Sequence, residues 1–417
     1  MNMNGYQCIA CDIKQGADYG SFLCPECGGN LDICYDYDKA AKNIGGSFPE
    51  EHLDLFRFSE LLPLKQPRAP FPLRVGSTPL YAAPRLAELA GMQSVYLKDE
   101  TGNPSASFKD RASAITIGRA LDIGAEVVSV ASTGNAGSSL ACLAAATGLK
   151  AVVFVPESAP VAKLTQALAF GARVLAVQGN YDDAYDLCGV ASDEFGWFNR
   201  STGFNAFTRE GKKTCAYEIW LDLGRRVPDR VVVPTGDGNI LSSIWKGWRD
   251  LQAVGLIDRL PKIDCVQSDA SAAICDTVHQ VRARGEAPVD WSKVTVAEVN
   301  STTVADSISV NRPRDGLAAV KAIIQSGGAA VTVPDSEIMA AIPEMARTTG
   351  VFPEPAAAAP WAGVKQMLRA GQIDPGETVV CIVSGSGLKD VTNAKTVVGR
   401  PDAIEPSLEA VRGCGLF

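Results

Sequence analysis

The chain has 417 residues, of which 46% are hydrophobic, and this length predicts about two or three compact units. A formal net charge of -8 disfavours binding to nucleic acid or to an anionic membrane, and favours small metabolites or proteins as partners. No apolar run reaches the length of a membrane span, and Met1 to Tyr6 lack the pattern of a secretory signal, so we expect a cytoplasmic location.

Residues 1–38 carry two cysteine pairs with the spacing C-x2-C-x12-C-x2-C in a short, polar, glycine-rich segment. Such a segment buries too little apolar surface to fold alone, and thiolates in this spacing can share one tetrahedral Zn²⁺. We therefore predict a structural zinc ribbon, and we interpret Cys34 as an extra cysteine outside the ligand set. A ribbon with reduced, unliganded cysteines is the alternative. The predicted ligands are Cys8, Cys11, Cys24 and Cys27.

Residues 45–79 form a proline-rich lead-in with a short helix in PEEHLDLFRFSELLP. Beyond it, apolar runs rich in β-branched residues alternate with helical patterns. The runs are EVVSVAS, AVVFVPE, RVLAVQG, RVVVPTG, KIDCVQSD and ETVVCIVSGSG. Continuous apolar strands with intervening helices predict parallel sheets that are covered on both faces. Ligands bind beyond the carboxyl ends of such strands, so we expect the functional site at the turns STGN, TGDGN and SGSG.

The segment NPSASFKDRAS predicts a helix start, with Ser105 or Ser107 as the cap and Lys109 in the first turn. Burial and the positive end of the helix dipole lower the pKa of an amine in this position, which frees it for Schiff-base formation. The alternative is a solvated lysine that pairs with an acid on a helix face. Spacing alone does not decide between the two.

Two of the turns are suited to anions. Residues 132–135 join a buried strand to an alanine-rich helix, where converging backbone N–H groups would fit a carboxylate. In PTGDGNIL, Gly236 and Gly238 would let backbone amides close on a phosphate ahead of the next helix. The alternative for the first turn is an ordinary capped connection, and a pair of glycines is a weak signal by itself.

Stretches spread over most of the chain carry a family pattern in one fixed order. They are STPLYAAPRLAELAG, LKDETGNPSASFKDR, STGNAG, VPESAPVAKLTQALAFGARVLAVQGNYDDA, REGKKT, VPTGDGNI, GVFPEPAAAA and SGSGLKD. Together they resemble the fold type II (tryptophan synthase beta-like) pyridoxal-phosphate enzymes and, within them, the threonine synthase family, some relatives of which also carry a four-cysteine ribbon.

The resemblance implies an α/β fold with two three-layer α/β/α domains behind the ribbon. Residues 39–112 and 215–417 would form the large cofactor-binding domain, and residues 113–214 the small mobile domain. Closure of the small domain over bound substrate would exclude water from the site. The resemblance also implies a homodimer.

The resemblance further implies roles for single residues. Lys109 would form the Schiff base with pyridoxal phosphate and carry protons, with Phe108 beside it. Asn135 would bond the cofactor's 3-hydroxyl, and Ser384 would face its ring nitrogen. The phosphate loop would consist of Gly236, Asp237, Gly238, Asn239 and Ile240. The substrate carboxylate would be held by Ser132, Thr133 and Gly134, together with Asn135.

The chain departs from this family around NAFTREGKKT. Family members carry N-P-x-R-x-E-G before a K-T pair, and the arginine helps to bind the substrate phosphate. Here Thr208 occupies the arginine position and Arg209 is displaced by one, while an upstream Asn-Ser pair is replaced by Thr202 and Gly203. A shift of one residue re-aims a side chain on a regular element. The candidates for the missing charge are Arg209, Lys163, Arg312 and Arg314.

The resemblance implies conversion of O-phospho-L-homoserine and water to L-threonine and phosphate. The altered NAFTREGKKT segment leaves open a related pyridoxal-phosphate lyase that eliminates or replaces a β-substituent on serine, threonine, phosphoserine or a similar amino acid. A different class also stays open, namely a catalytically silent relative that binds the cofactor, or an adaptor whose ribbon contacts a partner.

Overall fold

The computed structural model describes residues 2–49, 53–65 and 71–414. Its strands are β1 (Met3–Cys8), β2 (Lys14–Gly16), β3 (Leu31–Tyr35), β4 (Leu80–Ala82), β5 (Ser94–Asp99), β6 (Val127–Ala131), β7 (Lys150–Pro156), β8 (Arg173–Val177), β9 (Phe198–Asn199), β10 (Arg230–Pro234), β11 (Lys262–Ser268), β12 (Ala330–Val333) and β13 (Thr378–Val383). None of the described helices is long and apolar enough to cross a membrane.

The helices alternate with these strands over most of the chain. They are α1 (Tyr37–Ile44), α2 (Pro84–Ala90), α3 (Lys109–Asp122), α4 (Asn135–Thr147), α5 (Val161–Ala169), α6 (Tyr181–Phe195), α7 (Phe207–Lys212), α8 (Thr214–Asp222), α9 (Asn239–Ala253), α10 (Ala273–Arg284), α11 (Gly316–Ser326), α12 (Asp335–Thr349), α13 (Pro355–Arg369), α14 (Val391–Ala394) and α15 (Leu408–Gly413). In the lead-in, the predicted short helix is a 3-10 helix at Leu55–Leu61, and residues 50–52 of that prediction lie outside the described residues.

The N-terminal segment forms a small antiparallel sheet with the strand order β2-β1-β3. Its buried side chains, among them Tyr6, Leu31 and Ile33, belong to the same apolar cluster as residues of α3 and α4. The ribbon is therefore packed onto the body of the protein.

The larger sheet has six strands in the order β12-β11-β10-β13-β5-β4, all parallel except β4 at one edge. Alternate residues of its central strands face opposite sides. Val231 and Val233 pack with Trp248 of α9, whereas Val232 packs with Trp361 of α13. Helices cover both faces, as the continuous apolar strands predict.

The smaller sheet has four parallel strands in the order β8-β7-β6-β9. Val153 packs with Leu140 of α4 on one face, and Phe154 packs with Cys188 of α6 on the other. The predicted fold of two three-layer α/β/α units plus an N-terminal cysteine segment is thus confirmed. The predicted boundaries at residues 113 and 214 enclose the smaller sheet but remain a prediction.

A buried ionic network holds the start of α3 against the larger unit. The Arg111 guanidinium lies 2.7 Å from a carboxylate oxygen of Glu100 and 2.6 Å from one of Glu218. Lys98 lies 3.0 Å from the same Glu218 oxygen. Although burial alone would raise it, Arg111 and Lys98 hold the pKa of Glu218 well below its usual value. The helix that begins at Lys109 is therefore rigidly seated.

Candidate active site

A cavity opens at the carboxyl ends of strands from both sheets, where parallel α/β folds bind their ligands. It brings together the start of α3, the start of α4, the turn between β10 and α9, and the end of β13. Its lining consists of Lys109, Asn135, Thr202, Lys212, Pro234, Thr235, Gly236, Asp237, Gly238, Asn239, Ile240, Leu241, Ser307, Ile308, Val310, Glu354 and Ser384. The predicted lysine, the glycine loop (residues 236–240), Asn135 and Ser384 thus meet in one place.

Lys109 is the first residue of α3, and part of its side chain faces the cavity. The pKa of Lys109 is lowered, because burial disfavours the charged form and Arg200 adds to this, while Asp237 and Glu354 oppose it. The amine therefore loses its proton more readily than a solvated lysine does. The structure places Lys109 in the cavity and not on an open helix face.

Neither predicted serine cap is present at this helix start. Residue Phe108 is the cap position and makes no side-chain cap bond, while the Ser105 hydroxyl donates to Asp110 at 2.6 Å. The Phe108 N–H donates to the Ser384 carbonyl at 2.8 Å, which joins α3 to the end of β13. This backbone bond fixes the lysine relative to Ser384, a constraint that the capping rule alone does not anticipate.

Asn135 begins α4, and its side-chain amide donates to both carboxylate oxygens of Glu354 at 2.9 and 3.1 Å. It also donates to the Ser307 hydroxyl at 3.2 Å. Burial raises the pKa of Glu354, against the hydrogen bonds from Asn135 and Ser307. Sequence reasoning assigned no role to Glu354, although its stretch GVFPEPAAAA supported the family resemblance. This carboxyl group is a buried acid beside Asn135 that can hold or release a proton.

The glycine loop has the features of a phosphate cradle. Gly238 has φ +88, and a Cβ there would lie 2.7 Å from the Ala319 Cβ and 3.0 Å from the Asp315 carbonyl. Helix α9 follows at Asn239 without a side-chain cap, so the first N–H groups of the helix are left for a ligand. Backbone space and donors therefore fit an anion such as a phosphate group.

Arg314 and Asp315, just before α11, hydrogen-bond to this loop and are called here the segment behind the glycine loop. The Arg314 N–H donates to the Asp237 carboxylate at 3.1 Å, and the Asp315 N–H donates to the Asp237 carbonyl at 3.1 Å. Asp315 in turn accepts hydrogen bonds from the Asn239 amide at 2.8 Å and the Ser242 hydroxyl at 2.9 Å. Burial raises the pKa of Asp237, whereas Lys109 and Lys212 lower it.

Arg209, a candidate for the missing charge, is absent from the cavity lining. Its guanidinium is buried and lies 2.6 Å from Asp315 and 3.4 Å from Asp32 of β3. Asn30, next to β3, also donates to Asp315 at 3.1 Å. The structure therefore places Arg209 in a link between the ribbon and the segment behind the glycine loop.

The other candidates for that charge lie elsewhere. Arg312 is exposed and pairs with Glu298, and Arg314 pairs with Asp182. The side chain of Lys163 lies outside the described part of the structure. Of the described candidates, none lines the cavity.

The predicted carboxylate site, Ser132 to Gly134, lies between β6 and α4, partly exposed. A second cavity touches it at Gly134 and shares Asn135, Ser307 and Glu354 with the first. These residues lie at the helix N-terminus, as the sequence predicts, next to the cavity that Lys109 lines.

The four ribbon cysteines converge outside the lining of this cavity. The Sγ atoms of Cys8, Cys11, Cys24 and Cys27 all lie within 4.8 Å of one another. Cys34 does not belong to this group. Such a cluster can hold a single metal ion.

A lysine beside a glycine loop, at the junction of two α/β units, is the arrangement that the resemblance to fold type II pyridoxal-phosphate enzymes implies. The chain is similar to the processed form of threonine deaminase isoform 2 from Solanum lycopersicum, with a TM-score of 0.64 and 21% identity, over 77% of this chain and 87% of that one. This likeness concerns the fold.

Sequence comparisons show the family. Residues 72–385 match the family described as pyridoxal-phosphate dependent enzyme. The chain is 37% identical to the threonine synthase of Methanocaldococcus jannaschii over 97% of this chain and 98% of that protein. It is 36% identical to that of Methanosarcina acetivorans, with 97% of each covered. The chain belongs to the pyridoxal-phosphate-dependent enzyme family and, within it, to the threonine synthase family.

The geometry of the glycine loop predicts the effect of Gly238→Ala on cofactor affinity. The added Cβ would be strained at this φ and would meet Ala319, so we expect affinity for pyridoxal phosphate to fall about tenfold or more. Absorbance titration of the apoenzyme measures this. Gly371→Ala is the control, since Gly371 also has a positive φ (+65) but has no atom within 4 Å of an added Cβ. Equal affinities for the two variants would contradict the cradle.

Proposed function

We propose that the chain is a pyridoxal-phosphate-dependent threonine synthase, which converts O-phospho-L-homoserine and water to L-threonine and phosphate. The observation that carries this proposal is the 37% identity to a threonine synthase along 97% of the chain, ribbon included. The cavity supports it, because the cofactor residues expected from the family pattern, apart from the buried Phe108, line it together.

The residues of the cavity fit pyridoxal phosphate. In our proposal the Lys109 amine binds it covalently beside Phe108, the glycine loop (Gly236, Asp237, Gly238, Asn239 and Ile240) holds its phosphate, and Asn135 bonds its 3-hydroxyl. When bound, the cofactor supplies an electron sink for carbanions of an amino acid. The hydroxyl of Ser384, unlike a carboxylate, does not favour a protonated ring nitrogen, which moderates that sink.

Lys109 is the group that we propose to move protons. Its lowered pKa raises the fraction of neutral amine available as a base near neutral pH, and the same nitrogen can return the proton. The direction of this pKa shift also sets the expected pH dependence of the rate. As pH falls through the lowered pKa, the amine is protonated and the rate falls.

We place the substrate carboxylate at the start of α4, on Ser132, Thr133 and Gly134. The small domain, residues 113–214, would close over it. Two contacts support this closure, since Asp182 of α6 lies 2.6 Å from the Arg314 guanidinium, which is 4.6 Å from the Tyr185 ring centre. They join the small domain to the segment behind the glycine loop and so help to exclude water.

A second candidate function is elimination or replacement at the β-carbon of serine, threonine, phosphoserine or a similar amino acid. It is favoured by one observation. Thr208 occupies the family's arginine position, and Arg209 is held by Asp315 outside the cavity.

The two functions predict different products. Threonine synthase releases phosphate and L-threonine in equal amounts from O-phospho-L-homoserine, whereas an eliminating lyase releases ammonia and a 2-oxo acid from serine or threonine. We expect the first result in a steady-state assay, with the rate lost in Lys109→Ala. Saturation with O-phospho-L-homoserine without turnover would refute the proposal, and activity in Lys109→Ala would point to another base.

We also propose that the cluster of Cys8, Cys11, Cys24 and Cys27 binds a structural Zn²⁺. The separation of its sulfurs and the small apolar content of the segment support this. Through Asn30 and Asp32, the ribbon touches Asp315 and Arg209, so metal binding would also steady the segment behind the glycine loop.

Metal analysis of the purified chain tests this proposal. We expect one zinc per chain, lost in Cys27→Ser, together with a weaker affinity for pyridoxal phosphate. Cys34→Ser is the matched control within the same ribbon and should keep its metal. Full cofactor affinity after complete loss of zinc would contradict the link between ribbon and loop, and an unchanged metal content in Cys27→Ser would contradict the ligand set.

Two wider expectations complete the proposal. The resemblance to the threonine synthase family supports a homodimer, which sedimentation of the holoenzyme tests. The biosynthetic role of the relatives supports a cytoplasmic location, which fractionation of the source cells tests.

A further inference from the structure

Arg200 is a buried cation with unused hydrogen-bonding capacity. It directly follows β9, at the carboxyl end of the smaller sheet, and is fully buried. Its Nε donates to the Ser113 hydroxyl at 3.3 Å and its Nη1 to the Thr202 hydroxyl at 3.2 Å. Within the described residues its Nη2 has no hydrogen-bond partner. A buried donor left in this way is costly, so a ligand group that accepts from it would be favoured.

Lys212 is a second buried basic side chain that lacks an ion pair among the described residues. It is fully buried at the end of α7 and lines the cavity. Its amine donates to the side-chain oxygen of Asn239, and no carboxylate of the described chain forms an ion pair with it. Its pKa lies well below the usual value because of burial, with further lowering by Lys109 and Arg200.

The charges around the cavity are therefore unbalanced. Three basic side chains (Lys109, Lys212 and Arg200) face two buried carboxyl groups, Asp237 and Glu354; burial lowers the pKa of the bases and raises that of the acids. The Asp110 carboxylate also raises the pKa of Arg200, but it accepts two hydrogen bonds from Ser105. An anionic ligand would favour the charged forms of these bases and so be bound by them.

The cofactor's phosphate would not use all of the hydrogen-bond donors around the cavity. The glycine loop offers the backbone N–H groups of the α9 start for the cofactor's phosphate. Arg200 and Thr202 come from the other unit, after β9. Thr202 lines the cavity that the loop closes, whereas Arg200 does not line it and contacts Thr202 through its Nη1. The glycine loop and Thr202 thus face one cavity from the two units, with the Arg200 guanidinium in contact with Thr202.

We propose that Arg200, Thr202 and Lys212 form a second anion subsite, which binds the phosphate of the substrate. This inference rests on the proposed function, and it names the residues that replace the family's arginine in this chain. A guanidinium, a hydroxyl and an ammonium group together match a dianionic phosphate. In this arrangement Arg209 does not bind the substrate and forms an ion pair with Asp315 instead.

The test uses the holoenzyme with inorganic phosphate as the probe. Calorimetry measures phosphate binding, and steady-state kinetics measure KM for O-phospho-L-homoserine. In Arg200→Gln we expect both phosphate Kd and KM to rise about 10- to 100-fold, the effect of losing a hydrogen bond to a charged group. Binding of L-threonine, which lacks phosphate, should stay unchanged when followed by cofactor absorbance. Arg200→Lys should recover part of the loss.

Arg312→Gln is the matched control, because Arg312 is an exposed arginine paired with Glu298. It should bind phosphate as the wild type does. Should Arg200→Gln fail to fold, Thr202→Val and Lys212→Gln carry the test with the same readouts, each with a smaller expected rise in phosphate Kd.

The outcomes separate the two proposals. Wild-type phosphate affinity in folded Arg200→Gln, or in Thr202→Val and Lys212→Gln together, would overturn the subsite while leaving threonine synthase activity intact. Loss of cofactor binding with normal phosphate binding in Lys212→Gln would move Lys212 to the cofactor's phosphate and overturn its place here. Conversely, variant-sensitive phosphate binding without turnover of O-phospho-L-homoserine would keep the subsite and refute the proposed function. A wild type that binds no phosphate would overturn the subsite.

Discussion

The enclosure of one lysine amine at the start of a helix is the constraint on which the site depends. Burial lowers the pKa of Lys109, and the helix that carries it cannot shift, because Arg111 is held between Glu100 and Glu218. The backbone bond from Phe108 to the end of β13 fixes the same turn from the other side. The reactive nitrogen is thereby set at the junction of the two α/β units.

A second chain of contacts connects the periphery to this junction. The ribbon reaches Asp315 through Asn30, and Arg209 lies between Asp315 and the ribbon residue Asp32. Asp315 in turn bonds Asn239 of the glycine loop. Thr208 occupies the position where the family carries a substrate-binding arginine. Arg209, displaced from that position by one residue, makes structural contacts instead.

The sequence predicts the two sheets and the ligand-binding turns, but it does not predict which distant residues gather around Lys109. Apolar β-branched runs predicted both covered sheets, and the turns after β10 and β13 predicted where ligands bind, since local patterns govern strands and glycine turns. The sequence assigned no role to Arg200, Lys212 or Glu354, because each lies far along the chain from Lys109. Their role depends on burial and on missing partners, which only the folded chain reveals. The serine cap predicted for α3 was also wrong, because Ser105 bonds to Asp110 and Phe108 takes the cap position without a side-chain cap bond.

Borohydride reduction of the holoenzyme, followed by tryptic peptide mapping, tests the central claim most directly. Reduction makes the lysine–cofactor bond permanent and blocks cleavage at the modified residue. The account predicts a single pyridoxyl group on the uncut peptide DETGNPSASFKDR, which contains Lys109. A pyridoxyl group on Lys212, the other amine that lines the cavity, or on no lysine at all, would contradict it.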